Sequence, residues 1–134
     1  MNLTEFAKEV HRNAVEHGWW DKEVTFGEVI ALCHSELSES LEEYRQGMPL
    51  AYNVCPKTKQ PCIGVECVYF DDFTFSCSEH QETDKPEGVA VELADCILRI
   101  LDFCGKEGID IEKILLDKYE YNKSRPYRHG GKRL

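Results

Sequence analysis

Two pairs of acidic residues stand at helical spacing, Glu36 with Glu39 and Glu92 with Asp95. Residues three apart project from one face of an α-helix, so each pair presents two carboxylates side by side. Both pairs border apolar stripes, Leu37 and Leu41 beside the first and Leu93, Ile97 and Ile100 around the second. Carboxylates beside a core-facing stripe repel one another and resist burial unless a positive charge neutralises them, and a divalent cation does so. Hard oxygen ligands favour Mg²⁺, with Mn²⁺ as a substitute, over Zn²⁺. A ferritin-like di-iron centre needs Glu-x-x-His motifs, and the chain has none. Taken singly, such pairs are common solvated helix faces in an acidic protein. A third group gives them company: Lys118, Asn122 and Arg125 fall at i, i+4 and i+7 and set an ammonium, an amide and a guanidinium in one row. Alone, this row reads as a basic helix end favoured by the helix dipole. Beside a metal site it matches a chain of phosphates, with Arg125 able to hold two oxygens through parallel hydrogen bonds and Lys118 acting as a point charge.

Charge and cysteine usage narrow the classes further. A net charge of −9 argues against a general nucleic-acid binder, whose affinity comes from clustered Lys and Arg. The charge is uneven: Lys118, Lys123, Arg125, Arg128, Lys132 and Arg133 face only Glu120 over the last stretch, which suits a small anionic ligand. Of the seven cysteines, Cys33, Cys96 and Cys104 fall within apolar helical patterns, where a reduced thiol packs as a small hydrophobe. Cys55, Cys62, Cys67 and Cys77 cluster mid-chain. The start, MNLTEFAKEV, lacks the apolar region of a secretory signal, so a cytoplasmic protein is expected and the cluster points to metal before disulfides. Cys62-x4-Cys67 and Cys77-x2-His80 have separations compatible with a structural Zn²⁺ site, with Cys55 as an alternative ligand. The competing reading is a set of reduced thiols around a hairpin packed through Tyr69, Phe70, Phe73 and Phe75.

The elements that must position these residues are helices. A first helix is expected over Thr4 to about Glu16, capped by Thr4 and ended by Gly18. A second covers Thr25 to Arg45, opened by the capping box Thr25-x-x-Glu28, with Val29, Ile30, Cys33, Leu37, Leu41 and Tyr44 as its apolar face and Gly47 and Pro49 closing it. Residues 51–83, with Pro56, Pro61, Gly64 and the β-leaning strings Val65 to Phe70 and Phe73 to Phe75, read as an inserted loop or short hairpin. A third helix runs from about Pro86 to Lys106, with Pro in its first turn and Gly105 and Gly108 near its end. A fourth runs from Asp110, its cap, to about Lys123. No stretch is long and uncharged enough to span a membrane. Four helices imply one all-α domain over 1–134, a helix bundle that so small a chain completes by oligomerising, as a homodimer or homotetramer. Trp19, Trp20 and His11 are the flat groups able to hold a base, and Tyr127, Arg128 and His129 are able to close over a ligand.

The segments ELSESLEEYRQG and KPEGVAVELADCILRILDFCGKEGIDIEKILLDKYEYNKSRPYRHGGK resemble the MazG-like all-α nucleotide pyrophosphohydrolases, over most of the chain outside residues 51–83. The resemblance implies that Glu36, Glu39, Glu92 and Asp95 ligate Mg²⁺ and that Lys118, Asn122 and Arg125 hold phosphates. The implied reaction is hydrolysis of a nucleoside triphosphate to the monophosphate and pyrophosphate, with Glu36 or Glu39 orienting the water. Two departures stand out: Ser35 precedes Glu36 where many members carry a further acid, and the cysteine-bearing insert lengthens the connection between the acidic helices. The rival functions are a non-catalytic nucleotide-binding protein using the same residues and a zinc-stabilised protein-interaction module built on the insert.

Overall fold

A computed structural model describes residues 2–62, 70–71, 76–77 and 85–131. The elements run α1 (Leu3–Glu16), α2 (Phe26–Arg45), β1 (Tyr52–Asn53), β2 (Phe70–Asp71), β3 (Ser76–Cys77), β4 (Pro86–Glu87), α3 (Val89–Glu107), α4 (Ile111–Lys123) and a single turn, α5 (Arg128–Gly131). The chain is all-α with a small β-hairpin within residues 51–83, as the sequence predicts, and a second short pairing of β1 with β4. Among the described residues no helix is long and apolar enough to cross a membrane. The chain forms two compact units, one of Met1–Val24 with Ile100–Leu134 and one of Thr25–Arg99.

In the first unit, α1 and α4 are tied at their N-termini. Asn2, not Thr4, caps α1, its side chain accepting from the Glu5 amide. Thr4 is drawn away by tertiary structure: its hydroxyl donates to Asp110 Oδ1 at 2.8 Å and accepts from the Glu112 amide at 3.2 Å. Asp110 caps α4 as predicted, accepting from the Lys113 amide. Ala7, Leu101 and Cys104 form the buried centre, with Leu3, Phe6, Val10, Ile109 and Ile111 packed around it. Gly105 stands near the end of α3, as expected. A Cβ there would lie 2.3 Å from the Ala7 carbonyl oxygen, so the residue is the gap that lets α1 approach, and the helix runs on to Glu107.

In the second unit the predicted capping box opens α2: Thr25 accepts from the Glu28 amide and its own amide donates to Glu28 Oε2. The buried stripe of α2 is Val29, Cys33, Glu36 and Ser40. Of the expected apolar face only Val29 and Cys33 are buried, while Ile30, Leu37, Leu41 and Tyr44 stand 40%, 47%, 55% and 70% exposed. The first part of α3 lies antiparallel against that stripe. Ser40 Oγ donates to the Val89 carbonyl at 3.0 Å, and the thiols of Cys33 and Cys96 share a hydrogen bond.

Pro86 is not in the first turn of α3. It pairs with Asn53, and Glu87 with Tyr52, so β4 closes the neck of the insert against β1. The helix starts only after Gly88, whose φ of +115° no helical residue adopts and whose missing Cβ admits the Pro49 and Leu50 carbonyls. Within the insert, β2 pairs antiparallel with β3, and Val54 bridges Pro61.

Candidate metal centre

The acidic residues sit where α2 and α3 face each other within the second unit. One carboxylate oxygen each from Glu36, Glu39 and Glu92 lie within 4.8 Å of one another. Glu36 and Glu92 are buried, at 6% and 8% exposure, which is unusual for glutamate and requires compensation. Glu39 is the exposed member of the three, and its Oε1 accepts from Ser35 Oγ at 3.1 Å. Asp95, one turn along α3 from Glu92, is half-buried and lies outside this triad.

The three buried or half-buried carboxylates differ in how their charge is met. Glu36 Oε1 accepts from both Nε and Nη2 of Arg99, each at 2.5 Å. Among the described residues, no hydrogen bond or ion pair reaches the Glu92 or Asp95 carboxylate. Burial, reinforced by Glu39, Asp95, Glu36 and Glu87, holds Glu92 above the ordinary carboxylate range. Burial also raises Asp95, with Glu36 adding to the effect and Arg99 and Lys85 opposing it. Lys85, at the end of the insert, is mostly exposed and pairs with Glu87 at 2.7 Å while facing the Glu92 and Asp95 charges. Tyr52, paired with Glu87 across β1 and β4, donates to Glu43 at 3.1 Å; burial and that carboxylate push its phenol up to about 12. A cluster of oxygen donors with an uncompensated buried carboxylate fits a hard divalent cation.

Arg99, Ser35 and Lys85 carry no recognised motif, and sequence reasoning assigned none of them a part in the site. For Arg99 a signal existed: it follows Asp95 by four and Glu92 by seven, so it returns to the same face of α3.

The other candidates lie in the first unit. His11 Nδ1 is 2.8 Å from Asp102 Oδ1, and Trp20 Nε1 donates to both Asp102 oxygens at 3.0 and 3.1 Å. The two rings meet edge-on at 5.5 Å, with Lys106 Nζ 4.8 Å from the Trp20 ring centre. His11 and Trp20 are therefore brought together around Asp102, an aspartate that carries no motif, whereas Trp19 is 70% exposed. Lys118 and Arg125 flank one ring, Tyr121, at 5.0 and 6.0 Å, and Asn122 is exposed beside them. Tyr127 is exposed, with the Arg128 guanidinium 5.7 Å from its ring.

Of the proposed zinc ligands, Cys55 is fully buried and Cys62 half-buried, joined through a local ladder in which the Cys55 amide donates to the Gln60 carbonyl and the Cys62 amide to that of Asn53. Cys67 and His80 lie outside the described residues, and Cys77 is described only as strand backbone. Compared with protein-family models, curated proteins and solved structures, the chain has no match.

Proposed function

We propose that the chain is a Mg²⁺-dependent nucleotide pyrophosphohydrolase of the MazG-like kind. The observation that carries this reading is Glu92, a buried carboxylate crowded by other carboxylates, with the exposed Lys85 facing it and no hydrogen-bond partner among the described residues. A bare buried charge costs several kcal/mol or is neutralised, and a cation shared with Glu36 and Glu39 removes that cost. Glu36, Glu39 and Glu92 hold the ion and Asp95 completes the set. Mg²⁺, or Mn²⁺ in its place, supplies charge neutralisation at phosphate oxygens and a more acidic bound water. Glu39 is the member we assign to orienting the attacking water, because it is solvent-accessible and its carboxylate is steadied by Ser35. Water adds at the α-phosphorus, the bond to the bridging oxygen breaks, and pyrophosphate leaves from a nucleoside or deoxynucleoside triphosphate. On the resemblance, Lys118, Asn122 and Arg125 bind the phosphates. Trp20, His11 and Tyr127 are proposed for the base and its cover.

The reading is tested by incubating the protein with Mg²⁺ and a panel of ribo- and deoxynucleoside triphosphates and measuring pyrophosphate. Release that stops in Glu39→Gln supports it. No pyrophosphate from any nucleotide, with Mg²⁺ still bound, reduces the protein to a nucleotide or metal binder. The exposed Ile30, Leu37, Leu41 and Tyr44 of α2 support a further part of the proposal, that a second copy of the chain covers them in a homo-oligomer.

A further inference from the structure

We propose that Arg99 is a displaceable counter-ion: it holds Glu36 while no cation is bound, and a divalent cation taking Glu36 releases its guanidinium to an anion on the metal. This rests on the metal reading above.

Both guanidinium contacts, from Nε and Nη2, converge on the single oxygen Oε1 of Glu36. That residue belongs to the triad whose oxygens approach one another within 4.8 Å, so a cation ligated by the triad competes for Glu36 at close range. Mg²⁺ sits about 2.1 Å from its oxygens and carries twice the charge of the guanidinium it confronts. Two cations so close on one carboxylate repel one another strongly in a partly buried setting. Arg99 is the partner free to move: its side chain is 34% exposed, whereas that of Glu36 is 7% exposed and fixed in the α2 stripe. Glu92 and Asp95 offer nothing that retains Arg99 by hydrogen bonding in the present arrangement, and Lys85 is already committed to Glu87. A guanidinium set loose beside a metal is suited to an anion, because its planar fork presents parallel N–H groups to phosphate oxygens. Metal binding would thus create both halves of a phosphate site, and metal and anion would bind cooperatively.

Two measurements on the full-length chain test this. In ¹⁵N-arginine-labelled protein, the Arg99 Nε–Hε signal, identified by its loss in Arg99→Lys, should move on Mg²⁺ saturation and move again on adding inorganic pyrophosphate. By calorimetry, Arg99→Gln should bind Mn²⁺ alone about threefold tighter and bind pyrophosphate in the presence of Mn²⁺ about tenfold weaker. An Arg99 signal unmoved through Mg²⁺ saturation, or weaker Mn²⁺ binding by Arg99→Gln, would mean that Arg99 is a fixed support for Glu36 and would overturn the inference while leaving the metal site intact. A wild-type chain that binds neither ion overturns both readings. If Arg99→Gln does not fold, the signal from the unaltered chain decides alone.

Discussion

Replacing Glu92 with Gln should make the metal-free protein more stable and the Mg²⁺-loaded protein less so. In the metal-free state Glu92 is 8% exposed, lacks a hydrogen-bond partner among the described residues and faces Glu36, Glu39, Asp95 and Glu87. Leaving a polar group unsatisfied in the interior costs about 1–3 kcal/mol, and more when it is charged. Glutamine removes the charge but keeps an amide in want of a partner, so a net gain of about 1 kcal/mol is expected, a rise of about 2–5 °C in Tm for a chain of this length. With Mg²⁺ at a hundredfold excess over its dissociation constant, the wild type gains about 2.7 kcal/mol from linkage. The variant forfeits most of that gain along with a ligand. The two melting curves should therefore change order: variant above wild type in EDTA, wild type above variant in Mg²⁺. Differential scanning calorimetry in both buffers reads this directly. A variant that melts lower in EDTA would show that the Glu92 charge is met by a favourable contact, and equal Mg²⁺ shifts in both proteins would show that Glu92 is no ligand.

Other outcomes follow from the same geometry. The folded-state pKa values of Glu92 and Asp95 are raised, so they favour the folded state below the ordinary carboxylate range. That contribution is lost as pH rises through the raised values. Metal-free protein should thus be more stable near pH 5 than near pH 7, while Mg²⁺ affinity runs the opposite way, as urea melts and calorimetry at the two pH values would reveal. Gly105→Ala should cost at least about 2 kcal/mol in urea denaturation, because the new methyl overlaps the Ala7 carbonyl oxygen and His11 Cβ and neither helix backbone can yield. Lys118→Ala with Arg125→Ala should raise KM for a nucleotide substrate about tenfold or more without altering Mg²⁺ binding; an unchanged KM removes these residues from the phosphate site. Leu37→Lys with Leu41→Lys should halve or quarter the mass measured by light scattering if a second copy covers α2, and leave it unchanged if the chain is a monomer.

Local signals were the most legible in the sequence. The Thr25–Glu28 capping box, the Asp110 cap and the glycine stops after α1 and α2 need only neighbouring residues, and each stands where expected. Thr4 and Pro86 were misread because both have good local roles that tertiary partners overrode. Thr4 bonds the start of α4, 106 positions away, and Pro86 pairs across the neck of the insert. Gly105 stands near the helix end as expected, but its use as a packing gap against Ala7 has no local signal. Among the metal candidates, helical spacing brought Glu36, Glu39 and Glu92 together correctly, but it gave no warning that Asp95 stands apart from the triad or that Arg99 occupies Glu36.

The helix α2 shows most clearly what the site demands of the fold. Its inward stripe carries Glu36 and Ser40, while Leu37 and Leu41, each one residue further along, are about half exposed. For an isolated helix pair in water this arrangement is backwards, since burying leucines and exposing glutamate would stabilise it through apolar burial and spare two desolvated polar groups. Ser40 is explained by its bond to the Val89 carbonyl, which gives its buried hydroxyl an acceptor in the first turn of α3. Among the described residues Glu36 is paired with Arg99, while Glu92 on the same face has no hydrogen bond or ion pair. A buried ion pair beside an unpaired carboxylate is poor economy for stability, because the desolvation cost is offset for one acid and left standing for the other. The arrangement becomes favourable when a cation satisfies the inner face and another apolar surface covers the outer one. The inverted amphipathicity of α2 thus links the two parts of the proposal: the residues that disfavour the lone, metal-free chain are those that a metal ion and a second copy would each relieve.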